Sequence, residues 1–132
     1  MSKKVNCILL IDDNPDDNFF HERVIKKSKL CDLVVARNSA QEALNYLAST
    51  EEWVHPDIIF LDINMPRMNG WEFLEEYTKM DKITHSRVVI VMLTTSENPD
   101  DKVKAMACPA IAEFRTKPLT KEMLQEMINK YF

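Results

Sequence analysis

Several apolar runs in this chain stop at a side chain that can do chemistry. They read Leu10-Ile11-Asp12-Asp13, Phe60-Leu61-Asp62 and Met92-Leu93-Thr94-Thr95, with a weaker one ending Arg115-Thr116-Lys117-Pro118. If these runs are neighbouring strands, their ends bring carboxylates, a hydroxyl and an ammonium to one rim. Carboxylates a few ångströms apart repel unless something compensates them. A hard divalent cation would do so, and Mg²⁺ favours one or two carboxylates together with waters and a phosphate oxygen. A carboxylate left incompletely coordinated can attack a phosphoryl group. The lysine then offers a point charge to the phosphoryl oxygens, and the threonine a hydrogen bond. A plainer reading makes Asp12 and Asp13 caps of the helix that follows, with Asp16 and Asp17 as solvated acids of its first turn. For Asp16 and Asp17 the plainer reading is preferred. For Asp12, Asp13 and Asp62 taken together, the shared pocket is.

The elements that must position these residues are legible in the apolar pattern. Runs of strand length cover 5–11, 33–36, 58–61 and 88–93, and 112–116 is a weaker fifth. They do not alternate polar with apolar, which suits strands buried on both faces of a parallel sheet. Between them lie stripes at helical spacing: Ala40, Ala43, Leu44 and Leu47; Phe73, Leu74, Tyr77 and Met80; Val103, Met106, Ala107 and Ala110. Met123, Leu124, Met127, Ile128 and Tyr131 form the clearest stripe, read as core. A first helix is predicted from Pro15 through Val24 and Ile25, since proline suits an opening turn. The alternation predicts an α/β fold, a (βα)₅ doubly wound parallel sheet with helices on both faces. In such sheets ligands bind beyond the carboxyl ends of the strands, where the reactive residues stand.

Composition narrows the class further. The 132 residues suit one domain, with its core over about 5–131. Lys and Arg number 17 against 21 Asp and Glu, a formal charge of −4 without a basic patch, which argues against direct DNA binding. No apolar run approaches the ~20 residues of a membrane helix. Gly70 is the single glycine, which excludes glycine-rich dinucleotide and P-loop motifs. Cys7, Cys31 and Cys108 show no metal-binding spacing and fit reduced thiols, so a cytoplasmic protein is expected. His21, His55 and His85 are isolated and read as surface or packing residues.

The chain resembles the receiver domain of bacterial two-component response regulators over essentially its whole length. The resemblance is carried by Ile11-Asp12-Asp13, by Asp62-Ile63-Asn64-Met65-Pro66-Arg67-Met68-Asn69-Gly70 and by Thr116-Lys117-Pro118. It implies the flavodoxin-like five-stranded sheet, in strand order 2-1-3-4-5. It also implies that Asp62 accepts a phosphoryl group from a sensor histidine kinase. Asp13, Asp62 and the backbone carbonyl of Asn64 would bind Mg²⁺ directly, and Asp12 through water. Lys117 would pair with the phosphoryl group, next to a cis Pro118. Thr94 would be the switch hydroxyl, with Thr95 as the competing position, and Phe114 would change rotamer with it. Phe114 as plain core filler stays open beside that role. Asn64 and Ser96 would flank the path of a hydrolytic water.

Gly70 is expected to supply unusual backbone angles where the loop after Asp62 enters a helix. The stretch Ala107-Cys108-Pro109-Ala110 departs from the glycine usual in the family, which bears on the fourth helix and the output face. The expected function is a stand-alone, phosphorylation-gated module, since no output domain fits after Phe132. Its fourth helix, fifth strand and fifth helix would control a downstream protein, pair two copies, or accompany transfer to a histidine phosphotransfer domain. A haloacid-dehalogenase-type phosphatase would need its nucleophile in a DxDx[TV] pattern on the first strand. The chain has Asp12-Asp13-Asn14-Pro15 there. A never-phosphorylated scaffold would not need so complete a pocket.

Overall fold

The computed structural model describes residues 4–49, 55–80, 88–95 and 98–132. Strands and helices alternate along the chain: β1 (Val5–Ile11), α1 (Pro15–Ser28), β2 (Cys31–Arg37), α2 (Ala40–Ala48), β3 (Ile58–Leu61), α3 (Gly70–Thr78), β4 (Val89–Thr94), α4 (Pro99–Ala107), β5 (Glu113–Thr116) and α5 (Lys121–Tyr131). Each helix opens on a side chain that accepts backbone N–H groups: Asn14, Ser39, Asn69, Asn98 and Thr120. Such caps satisfy donors that have no partner within the helix. Asn69 and Glu72 form a reciprocal capping box at α3. The cap of α1 is therefore Asn14, and Asp12 and Asp13 are left for other work.

The strands form one parallel sheet in the order β2-β1-β3-β4-β5, as the resemblance implied. Both of its faces are buried, which explains the unbroken apolar runs. Leu9, Ile11, Ile59, Leu61, Ile90 and Met92 pack on one side against Ala43 and Leu47 of α2 and Phe73, Leu74 and Tyr77 of α3. Ile8, Leu10, Ile58, Phe60, Val91 and Leu93 pack on the other against Ile25 of α1 and Leu124, Met127 and Ile128 of α5. Register then sets the rim. Ile11 pairs with Leu61, Leu61 with Met92, and Thr94 with Thr116, so the residues that follow stand side by side.

Local boundaries differ from the expectation in three strands. β2 extends over Cys31–Arg37, β4 runs from Val89 to Thr94, and β5 begins at Glu113. The larger difference is α4. Its expected stripe is not core: Val103 is 68% and Met106 77% exposed, Ala105 is its buried residue, and Ala110 lies beyond its end. The apolar spacing there describes a helix face turned to the surface. The helix is short, and one small side chain of it, Ala105, is buried.

Candidate functional site

Asp12, Asp13 and Asp62 follow the ends of β1 and β3, and one carboxylate oxygen from each lies within 4.8 Å of the others. Asp12 and Asp62 are buried and Asp13 is exposed, so the cluster has a wet side and a dry side. Backbone groups fix the two buried acids. The Asn14 N–H donates to Asp12 Oδ1 at 3.0 Å, and the Ile63 N–H donates to Asp62 Oδ1 at 2.9 Å. The Asn18 amide on α1 donates to the Asp12 carbonyl at 2.9 Å and to Asn38 Oδ1 at 2.9 Å, tying the α1 side of the rim together.

Lys117 reaches into this cluster from the end of β5, and its backbone N–H bonds the Thr94 carbonyl at 3.0 Å. Its Nζ lies 2.5 Å from Asp12 Oδ2, 2.9 Å from Asp17 Oδ2 and 3.5 Å from Asp62 Oδ2. Burial opposes its charge, yet the hydrogen bonds it donates to Asp12 and Asp17 and the charge of Asp62 hold its pKa above the ordinary lysine value. The peptide joining Lys117 to Pro118 is cis. Asp62 titrates above the ordinary carboxyl range, first because it is buried and then because Asp12 is near. Lys117, the Thr94 hydroxyl and the Ile63 N–H each pull it back towards ionisation.

Thr94 is fully buried and hydrogen-bonded to Asp62, whereas Thr95 is exposed. Phe114 pairs in register with Met92 and packs, half-buried, on the α2–α3 side of the sheet. Asn64 is exposed in the loop just past Asp62, and Ser96 and His85 lie outside the described residues. Gly70 holds that loop for a reason other than backbone angle. Its φ is not positive; the left-handed residue of the loop is Arg67, at φ 68°. A Cβ at Gly70 would instead stand 2.6 Å from the Asp62 carbonyl oxygen and 3.0 Å from the Ile63 Cα. Close approach is the requirement.

Two residues gain a place that composition did not suggest. Asp17 bonds Lys117 rather than water alone, and His21 is 3% exposed beside a small cavity lined by Asp12, Asn18 and Asp62. Burial, and then the Lys117 charge, push the His21 pKa down. The signal was in the helix phase. Asn18, His21, Ile25 and Ser28 form the buried stripe of α1, and Asp17 lies one turn before His21 on its flank.

A buried carboxylate within an acidic cluster, with an ammonium and a hydroxyl at hand, has the chemistry to receive a phosphoryl group. The sequence profile of the response regulator receiver domain matches residues 8–129. The chain belongs to this family. Receiver domains of this kind are signalling modules that accept a phosphoryl group from histidine kinases on an aspartate. This receiver domain is 30% identical over 105 residues to response regulator Rcp1 of Synechocystis sp., covering 77% of this chain and 70% of that protein. It is 26% identical to two-component response regulator ORR1 of Oryza sativa subsp. japonica, covering 95% of this chain but 54% of that one. A crystal structure of a two-component response regulator from Cytophaga hutchinsonii matches with a TM-score of 0.85 and 31% identity, over 98% of both chains. No helix among the described residues of this receiver domain is long and apolar enough to cross a membrane.

Proposed function

We propose that this receiver domain is a phosphorylation-gated binding module whose phosphoacceptor is Asp62. The observation that carries the reading is the position of the Asp62 side chain, buried within an acidic cluster, hydrogen-bonded to Thr94 and 3.5 Å from Lys117. In transfer, an Asp62 carboxylate oxygen forms a bond to phosphorus. The P–N bond of the donor phosphohistidine breaks, and its electron pair stays on the imidazole. Lys117 and Thr94 then donate to the phosphoryl oxygens, as charge-assisted and neutral hydrogen bonds respectively. Water later attacks phosphorus, releasing phosphate and restoring the carboxylate.

The donor set is all oxygen, two acids buried and one exposed, and this fits a hard cation such as Mg²⁺. Asp12, Asp13, Asp62 and the Asn64 carbonyl would hold it. When bound, Mg²⁺ supplies positive charge that offsets the crowded carboxylates and the incoming phosphoryl oxygens. Once Asp62 carries the phosphoryl group as an acyl phosphate, Thr94 has a new acceptor, and a shift of that hydroxyl would leave room for Phe114 to repack. The face built from α4, β5 and α5 would thereby report the state to a downstream protein, a second copy or a histidine phosphotransfer domain. A partner that prefers the phosphorylated form shifts the equilibrium only by its differential affinity.

Incubation with Mg²⁺ and acetyl phosphate should give a labile mass gain of one phosphoryl group, absent in Asp62→Asn. Undiminished labelling of that variant would sink the assignment. Steady turnover of phosphate esters would point to a phosphatase instead.

A further inference from the structure

Lys117 is held by an acid from α1 that the phosphoryl chemistry does not require. Among the described residues it contacts three acids: two of the contacts are hydrogen bonds, to Asp12 and Asp17, and the contact to Asp62 is the longest. The lysine side chain is 8% exposed, so water competes poorly for its ammonium. Asp17 is placed by the helix rather than by chance, because Asn14 Oδ1 accepts its backbone N–H at 3.3 Å in the first turn of α1. Asp12 belongs to the carboxylate cluster that suits a cation, and a cation there would compete with Lys117 for it. Asp17 lies outside that cluster. It is the one of the three acids that stays wholly available to the ammonium.

We propose that Asp17 is a positioning residue that keeps Lys117 on the α1 side of the pocket and so restrains phosphoryl transfer to Asp62. The proposal rests on Asp62 being the phosphoacceptor. As the phosphoryl group arrives, the ammonium must redirect a proton from a carboxylate to a phosphoryl oxygen. The Asp17 contact is strongest before transfer and weakens during it, so it stabilises the resting state more than the transition state. An interaction of that kind slows the step. Asp17 also differs from Asp12 in reach: its side chain is 38% exposed, so its carboxylate can be removed without leaving a buried hole.

The test compares wild type, Asp17→Asn and Asp17→Glu at saturating Mg²⁺. One measurement is the initial rate of labelling by acetyl phosphate. The other is the ¹⁵N signal and proton exchange of the Lys117 ammonium without any donor. Loss of one charge-assisted hydrogen bond should speed labelling about threefold or more in Asp17→Asn and quicken ammonium exchange. Asp17→Glu, which keeps the carboxylate, should stay near wild type in both. A labelling rate in Asp17→Asn equal to or below wild type overturns the proposal, as does an unaltered Lys117 signal. A wild type that takes no phosphoryl group, with the Lys117 signal shifted in Asp17→Asn, would overturn the phosphoacceptor reading and uphold Asp17 as the residue that positions Lys117.

Discussion

Asp62 carries an opposed set of interactions, and their balance can be read as stability. Burial and the Asp12 charge raise its pKa in the folded state, so between the ordinary carboxyl pKa and the raised one the native protein binds more protons than the unfolded chain. Stability must then fall as pH rises through that window, and the loss persists at neutral pH. Asp62→Asn removes the charge and should therefore raise the melting temperature of the metal-free protein at pH 7 by a few degrees, on the order of 1 kcal/mol. The gain should vanish in acid, below both pKa values, where Asp62 is neutral in both states. Melting curves of the two proteins in EDTA across pH decide this; a gain that survives in acid would show another cause. Lys117 is the opposite case, because Asp12, which crowds Asp62, holds its charge together with Asp17 and Asp62. Lys117→Met should cost about 3 kcal/mol or more at pH 7, since buried carboxylates would lose their counter-charge. Part of that loss should return on adding Mg²⁺, and chemical denaturation with and without the ion measures it.

At the scale of elements, the loop from β3 to α3 is a tight joint at the site. An alanine in the first turn of a helix would ordinarily help, by up to about 1 kcal/mol over glycine. At Gly70 the added methyl meets backbone on the far side, at 2.6 Å from the Asp62 carbonyl oxygen, and neither partner can rotate away. Gly70→Ala should thus destabilise the fold by about 1–3 kcal/mol and slow labelling of Asp62, because the displaced residue is the proposed phosphoacceptor itself. A variant as stable and as readily labelled as wild type would refute the close-approach account. α4 gives the contrasting case. Met106→Gln should change stability by less than about 0.5 kcal/mol, as the side chain is 77% exposed, and thermal melting checks it.

For the whole molecule, the acidic rim makes stability depend on what binds there. A ligand that binds the folded protein alone stabilises it by mass action, about 2.7 kcal/mol at one hundred times its Kd. Mg²⁺ should therefore raise the melting temperature progressively with concentration, and chelation should reverse it. Asp13→Asn, which removes the exposed member of the cluster, should stabilise the metal-free protein by about 1 kcal/mol or less and blunt the response to Mg²⁺. Unchanged melting in both experiments would show that the carboxylates act independently.

Much of this was legible in the chain because its causes are local. Apolar runs without alternation announce strands buried on both faces, and Pro15 announces the start of the first helix. The acids at 12, 13 and 62 stand out because charge directly after such a run must lie at a strand's end. Three features are not local. Thr94 rather than Thr95 meets Asp62 because β4 runs one residue further than its apolar stretch and so turns Thr94 inward. Val103 and Met106 have core spacing but face outward, since spacing gives the phase of a helix and not which side the sheet will take. Asp17 reads as a solvated first-turn acid until β5 delivers Lys117 to it across a separation of 100 residues. A side chain's partner depends on how elements pack, and the pairing of α1 with the end of β5 exists only in the folded sheet.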